Sequence, residues 1–247
     1  MQYKTNINYL KKLLQGKIPS VVNKFNREMQ SASNNQEFEK AAQLRDKLLA
    51  GQHLTNQTIS PEEYYTNPNL LSDIRDAALN SLLTSLKPCF PWLNSLNRIE
   101  CYDIAHLRGE FAAASLVVAE KGAIKSNNYR HFNIKYSQTD NDVEMMREVV
   151  SRRFHNSWPD PDLIVLDGGI PQLSAVLRKP SIFPENIAVI SLSKKEETIH
   201  VVQKEKYVSL QLEKTDPGLK LLQSLRDEAH RFSRRLHHIR RRSIIKA

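Results

Sequence analysis

The 247-residue sequence has few cysteines, and the two it contains do not form a recognisable pair. Cys89 and Cys101 lack the spacing of zinc or redox motifs, so we expect two reduced thiols in a cytoplasmic protein. Long apolar runs are also missing. No stretch approaches the roughly 20 residues of a membrane-spanning helix, and the first residues do not resemble a signal peptide. We therefore expect no membrane partner.

Glycine is also scarce, with seven residues in the chain. The segment LDGGIPQ, residues 166–172, lacks the spacing of a dinucleotide-binding loop, and no Walker loop or serine or cysteine nucleophile motif is present. Positive charge, in contrast, is in excess. The net charge of +9 suggests a polyanionic partner, most simply nucleic acid.

Acidic residues are missing from the C-terminal segment SRRLHHIRRR, residues 233–242, which contains five arginines. This segment could be a solvated helix end, an arm that docks on a partner, or a surface that follows phosphates. We favour phosphate contact because the segment continues the helix that carries His230.

Two amphipathic segments near the N-terminus predict a helical hairpin. One begins at Pro19 and Ser20, the pair Asn34-Asn35 forms a turn, and a second apolar stripe follows. Because two short helices bury little apolar surface, the hairpin either packs on its own domain or forms a partner-binding module. We assign residues 1–55 to this helical region and residues 56–97 to a linker and a helix.

Residues 98–247 predict an α/β domain. The segments RIECYDIAH, EFAAASLVVAE and YRHFNIKY predict an antiparallel meander of three strands. The apolar runs DLIVLDGG and IAVISLSKK predict strands buried on both faces, and Asp216-Pro217 predicts the start of a terminal helix. This order is the one that a ribonuclease H-like fold requires: a mixed sheet flanked by helices, here preceded by the helical hairpin.

Two aspartates are placed where ligands bind in such folds. Asp103 shares a strand face with Ile99 and Cys101, so its carboxylate needs a cation or hydrogen bonds. An arginine partner would serve equally well. Asp167 ends the strand LIVLD, at the sheet edge where α/β proteins bind ligands. An ordinary Asp-Gly turn is the competing interpretation.

His230 lies in a row with Arg226 and Arg234 beside the apolar stripe of the terminal helix. Two aspartates and this histidine predict a divalent-cation site, because carboxylates suit Mg²⁺ or Mn²⁺ and imidazole suits Mn²⁺ better. Two such ions about 3.5–4 Å apart can hydrolyse phosphodiesters. Alternatively, His230 is a general acid or base and an arginine holds phosphate, or it is an ordinary half-buried histidine.

Several ordered blocks resemble a known family. IECYDIAH, FNIKYSQTDNDVEMMREVVSRRF, PDLIVLDGGIPQL, ISLSKKEETIH and LLQSLRDEAHRF resemble the C-terminal nuclease half of UvrC, the incising subunit of bacterial nucleotide excision repair. NNQEFEKAAQLRDKL resembles the family's UVR motif, a helical hairpin that docks on UvrB. The similarity extends from about Tyr3 to Phe232.

This resemblance implies a ribonuclease H-like endonuclease that uses Mg²⁺ or Mn²⁺. Its catalytic and metal-binding residues would be Asp103, Asp167 and His230. It also implies incision of damaged double-stranded DNA on the 5′ side of the lesion, within a complex assembled by UvrA and UvrB. We expect DNA contacts from Lys194, Arg226, Arg234, Arg240, Arg241 and Arg242. We expect UvrB contacts from Phe38, Ala41, Ala42, Leu44, Arg45 and Leu48, within residues 20–50.

The sequence departs from the family pattern in three respects. The family's GIY-YIG domain and helix-hairpin-helix motifs have no counterpart here, so we expect a truncated or split product, a compact homologue or an excised piece. DGGIPQ stands where the family has DGGKGQ, which puts one phosphate contact in doubt but not the aspartate. SRRLHHIRRR is more basic than the usual continuation, and we hypothesise that it partly replaces the missing DNA-binding motifs. The rival functions are a non-catalytic DNA-binding or UvrB-binding remnant and another ribonuclease H-like nuclease.

Overall fold

The computed structural model describes residues 7, 11, 12, 18–42, 44, 45, 48, 67, 69–106, 112–135, 142–178, 182–194 and 196–244. The side chains of residues 18, 19, 105, 106, 112 and 235–244 are not part of that description. The chain divides into two compact units, Met1–Pro68 and Asn69–Ala247. Within the described ranges, no helix is both long and apolar enough to cross a membrane.

The first unit contains the predicted helical segments and the turn between them. Helix α1 spans Ile18–Asn34, and residues 38–42, 44, 45 and 48 are helical again. The turn is closed by the backbone N–H of Glu37, which donates to the carbonyl of Ala32 at 2.8 Å. Gln36 has a φ of 59° there, a left-handed conformation suited to a tight reversal. Most of residues 1–17 of the predicted helical region and residues 56–66 of the predicted linker lie outside the described residues.

The second unit is an eight-stranded sheet with helices on both faces, as the sequence predicts. Its elements in chain order are α2 Leu70–Leu86, β1 Arg98–His106, β2 Ala112–Glu120, β3 Ala123–Ile124, a 3₁₀ turn Ser126–Asn128, β4 Arg130–Asn133, α3 Asp142–Arg153, β5 Leu163–Asp167, α4 Ile170–Leu177, β6 Ala188–Ser193, β7 Thr198–Gln203, β8 Lys206–Leu210 and α5 Pro217–Ile244.

The sheet is mixed, in the order β3-β2-β1-β5-β6-β7-β8, with β4 also paired to β2. Antiparallel pairing of β2 with β1 and with β4 confirms the predicted meander. Strands β5 and β6 are parallel to each other, and β5 is parallel to β1, which explains their continuous apolar runs. The later segment TIHVVQKEKYVSLQL is a hairpin of β7 and β8. It reverses at Lys204-Glu205, where both residues have positive φ.

Each face of the sheet has its own core. Helices α2 and α5 cover one face through Leu82, Leu86, Leu222 and Leu225, all fully buried. Each such side chain contributes about 1.5–3 kcal/mol by leaving water. Because α2 packs into this core, the second unit begins before it, whereas the sequence placed the domain boundary at residue 98. Helices α3 and α4 cover the other face, with the buried side chains Met146, Val150, Leu173 and Val176.

A buried charge cluster fixes β1 to α3. The Glu100 carboxylate is fully buried and accepts hydrogen bonds from Arg153 Nε at 2.9 Å, Arg98 Nε at 3.0 Å and the Tyr102 hydroxyl at 2.7 Å. Arg98 also pairs with Glu120 at 2.8 Å. Because burying an ion is unfavourable unless it is paired, this cluster fixes the position of β1 against α3.

Candidate metal centre

The two predicted aspartates lie on the adjacent parallel strands β1 and β5, toward the carboxyl ends of both strands. Tyr102 of β1 pairs in register with Leu166 of β5, so the next residues along the parallel strands are Asp103 and Asp167. Asp103 is 6% exposed, while its face-sharing neighbour Cys101 is fully buried. The predicted inward orientation of Asp103 is therefore confirmed. The two aspartates lie toward the carboxyl ends of the parallel strands, where α/β proteins bind ligands.

Helix α5 brings His230 over these strand ends. Asp216 caps the helix, since its Oδ1 accepts a hydrogen bond from the backbone N–H of Leu219 at 2.9 Å. Farther along, the Ser115 hydroxyl on β2 donates to the carbonyl of Ala229 at 3.0 Å. Ser115 is the register partner of Asp103, so this bond anchors the helix directly before His230. No local sequence pattern marks Ser115, because its hydrogen-bond partner lies 114 residues away.

The three side chains converge. His230 Nδ1 lies 3.8 Å from Asp103 Oδ2, and one ligand atom from each of Asp103, Asp167 and His230 lies within 4.8 Å of the others. Within the described residues, Asp103 lies beside this histidine and forms no ion pair with an arginine.

The carboxylates lie in an environment that disfavours two negative charges. Burial raises the pKa of Asp103 to about 7, the charge of Asp167 adds to the rise, and a hydrogen bond from Ser233 opposes it. Burial also raises the pKa of Asp167, although the nearby charges of Arg226 and Lys194 lower it. A bound cation would relieve this repulsion, because it favours the charged form of both groups.

His230 is suited to act as a neutral ligand or a proton acceptor. Burial lowers its pKa, and the positive charges of Lys194 and Arg234 lower the pKa further. The imidazole is therefore mainly unprotonated near neutral pH, the form that binds metals.

The donor set fits a divalent cation. Asp103 Oδ2 is buried and has no hydrogen-bond partner among the described residues. Burial of an unpaired carboxylate oxygen is unfavourable unless another group occupies the space beside it. Two carboxylates suit Mg²⁺ or Mn²⁺, and the imidazole favours Mn²⁺. Asp103, Asp167 and His230 are thus the residues that could hold the ion.

The loop after Asp167 is a tight turn that requires glycine. Gly168 has a φ of 146°, and a Cβ there would lie 2.6 Å from Cδ of Gln172. Gln172 Oε1 accepts a hydrogen bond from the Gly169 N–H at 3.0 Å, so its side chain fills the space beneath the turn. The glycine therefore supports the conformation that presents Asp167.

The predicted DNA-contact residues differ in accessibility. Lys194 and Arg234 are exposed near the site. Arg226 is 6% exposed, and its guanidinium bonds Glu197 at 2.6 Å and Asp227 at 3.1 Å. It is therefore already paired with two carboxylates. The side chains of Arg240, Arg241 and Arg242 lie outside the described residues.

The predicted UvrB contacts also separate into buried and exposed groups. Phe38 is 67% exposed, an unusual position for a large aromatic side chain, whereas Leu44 and Leu48 are buried. The other predicted contacts are half-buried or exposed: Ala41, Ala42 and Arg45.

Comparison with known proteins identifies the family. Residues 90–233 match the family model described as the UvrC RNAse H endonuclease domain, which covers more than half of the chain. The chain belongs to the UvrC family. Residues 20–52 match the UvrB/uvrC motif, so the predicted UVR hairpin and ribonuclease H-like fold are both confirmed.

Curated relatives in the UvrC family are much longer than this chain. The UvrABC system protein C of Koribacter versatilis is 41% identical over 150 residues, which cover 59% of this chain and 24% of that protein. The protein of Acidobacterium capsulatum is 36% identical over 198 residues, covering 78% and 29% respectively. The chain therefore spans between 24% and 29% of the length of these two relatives.

Solved structures of endonuclease V are distant neighbours. The Ciona intestinalis enzyme aligns with a TM-score of 0.40 and 14% identity, covering 73% of this chain and 99% of that one. The Bacillus subtilis enzyme aligns with a TM-score of 0.36 and 10% identity, covering 61% and 83%. At these scores the similarity supports no inference about activity.

Proposed function

We propose that the chain is the metal-dependent endonuclease part of an excinuclease and makes the 5′ incision in damaged double-stranded DNA. The observation that supports this most strongly is the convergence of Asp103, Asp167 and His230, with ligand atoms within 4.8 Å of one another. These residues belong to a segment that matches a UvrC endonuclease domain.

The three site residues would have different roles in the reaction. A bound Mg²⁺ or Mn²⁺ would supply an activated water and stabilise charge on the leaving oxygen. Asp103 and Asp167 would hold the ion from adjacent strands, where the sheet fixes their separation. The His230 side chain is 45% exposed, so its imidazole can bind the ion or accept a proton where substrate has access.

Exposed cations would place the DNA backbone at the site. Lys194 and Arg234 are exposed and close enough to His230 to lower its pKa, although burial is the larger cause. Phosphates bound to them would lie beside the three site residues. Arg240, Arg241 and Arg242 would extend the contact along α5, whereas Arg226 has a different role, developed below.

The hairpin of the first unit would recruit the chain to UvrB, in a complex assembled with UvrA. The UvrB/uvrC motif at residues 20–52 supports this proposal. Phe38 would be the main apolar contact because it is already exposed, while Leu44 and Leu48 would hold the hairpin's shape. Phe38→Ser in the full chain should weaken UvrB binding in a pull-down. Tyr207→Ser, which removes an aromatic side chain of the second unit that is 47% exposed, should not.

The decisive functional assay is incision of a lesion-bearing duplex, with and without UvrA and UvrB, in Mg²⁺ or Mn²⁺. We expect cutting on the 5′ side with the partners present, and none by Asp103→Ala or His230→Ala. If both variants cut as the parent does, the site assignment is wrong. If the parent does not cut even with partners and a pre-made 3′ nick, a non-catalytic DNA-binding or UvrB-binding role replaces the nuclease proposal.

A further inference from the structure

The turn between β6 and β7 lies at the edge of the metal site. Asp167 pairs in register with Leu192, so the residues after Leu192 leave the sheet beside Asp167. The Ser193 hydroxyl donates to the carbonyl of Thr198 at 3.3 Å and closes the turn. Lys194 lies in this turn, and its ammonium is close enough to affect Asp103, Asp167 and His230.

One residue of this turn has a disfavoured backbone conformation. Glu197 has a φ of 52°, the left-handed region that residues with a Cβ seldom adopt. Such a conformation persists when the surrounding contacts hold it in place. Among the described residues, Arg226 contacts Glu197 from outside the turn, and its Nη1 donates to Glu197 Oε2 at 2.6 Å.

Arg226 is itself held in a fixed geometry. Its Nε and Nη2 donate to Asp227 Oδ1 at 3.3 and 3.1 Å, so the guanidinium bridges two carboxylates from a buried position. Bidentate and bridging arginine pairs fix orientation as well as charge. Arg226 also lies four residues before His230, one helical turn away on the same row of α5.

We propose that Arg226 is a positioning residue of the nuclease site. Through its ion pair with Glu197 it fixes the β6–β7 turn against α5, and so it holds Lys194 beside the metal-site cluster. This inference rests on the proposed nuclease function. Because small displacements in a catalytic site reduce turnover strongly, loss of the pair should affect the rate of cutting more than DNA binding.

A double-mutant cycle in the full chain tests the proposal. Arg226→Gln, Glu197→Gln and the double variant are compared for cleavage and for binding of a duplex that carries one fluorescein adduct and a pre-made 3′ nick, with UvrA, UvrB and Mn²⁺. Each single variant should lower kcat about 10–100-fold, with DNA affinity changed by less than about twofold. The double variant should be no slower than the slower single one, because both changes break the same contact. Arg226→Lys, which keeps one ionic bond, should recover part of the rate.

Amide hydrogen exchange supplies a readout that needs neither metal nor DNA. Exchange in residues 193–198 should be faster in Arg226→Gln and Glu197→Gln than in the parent. If Arg226→Gln does not fold, the exchange measurement can still be made on Glu197→Gln. Glu197 is partly exposed, so its substitution should disturb folding less. The matched control is Arg152→Gln, which breaks an ion pair with Glu148 on α3 and should change neither exchange in the turn nor kcat.

Three results would overturn the proposal. A loss of DNA affinity with unchanged kcat would make Arg226 a direct DNA contact. Single effects that multiply in the double variant would show that Arg226 and Glu197 act independently and not through one contact. Unchanged exchange in the turn would show that the ion pair does not hold it. If the parent cuts no DNA, the nuclease proposal fails separately, and the exchange measurement still decides whether Arg226 and Glu197 fix the turn.

Discussion

Replacing Glu100 with glutamine should destabilise the second unit severely. The substitution keeps the side chain's shape but removes a fully buried charge that Arg153 contacts at 2.9 Å. Arg153 is also fully buried and would lose its carboxylate partner, whereas Arg98 would keep Glu120 at 2.8 Å. Leaving one buried charge uncompensated costs about 3–5 kcal/mol.

The reciprocal change should cost less. Arg153→Met removes the buried cation, but Glu100 keeps its bonds from Arg98 and the Tyr102 hydroxyl, at 3.0 and 2.7 Å. Losing hydrogen bonds to a charged group that stays paired costs about 1.5–3 kcal/mol. The structure therefore predicts an asymmetry between the two partners of one ion pair.

Tryptophan fluorescence can follow the unfolding, because both tryptophans, Trp92 and Trp158, lie in the second unit. For a unit of this size the Glu100→Gln penalty corresponds to a fall in Tm of about 6–20 °C. Arg152→Gln, which breaks the ion pair with Glu148, should cost less, because Glu148 keeps a hydrogen bond from the backbone N–H of Lys135 at 2.8 Å. If Glu100→Gln lowers Tm no more than Arg152→Gln does, the charge of Arg153 is not left uncompensated.

Two further predictions concern the loop and the helix that present the site. Gly168→Ala should weaken Mn²⁺ binding and cost about 1–3 kcal/mol, because its φ is positive and its Cβ would overlap Gln172. Gly169→Ala should be tolerated, since its Cβ would lie 3.6 Å from Pro171, an ordinary contact distance. Titration calorimetry measures the Mn²⁺ affinity of the two variants, and thermal unfolding measures their stability. Equal effects of the two substitutions would contradict the role given to Gly168. Asp216→Ala should cost about 1–2 kcal/mol in urea unfolding by removing the cap of α5, and no measurable loss would contradict that role.

The candidate metal site was predictable from the sequence because local patterns determine where its members point. The two-residue strand period places Asp103 on an inward face, and the apolar run before Asp167 places it at a strand end. Helical periodicity puts His230 at the edge of the buried stripe. To predict that the three residues meet, the order of the strands in the sheet is needed as well. The succession of strands and helices indicates that order only when the whole domain is considered.

The charge partners were not predictable in this way. Glu100 and Arg153 meet across 53 residues, and Arg226 and Glu197 across 29, so no spacing rule relates them. The row of Arg226 and His230 was identified correctly, but the sequence could not show that the arginine is buried against carboxylates. A similar limit applies to the Lys204-Glu205 reversal, which lacks the glycine or asparagine that usually marks a hairpin turn.

The central claim is that Asp103, Asp167 and His230 form one divalent-cation site, and Mn²⁺ titration followed by electron paramagnetic resonance tests it directly. The parent chain should bind Mn²⁺, and Asp103→Asn, Asp167→Asn and His230→Ala should each weaken that binding by more than about 10-fold. Asp160→Asn, which changes an exposed carboxylate before the start of β5, at the strand end opposite to Asp167, should bind as the parent does. If the three site variants retain the parent's affinity, the ion binds elsewhere and the account is wrong.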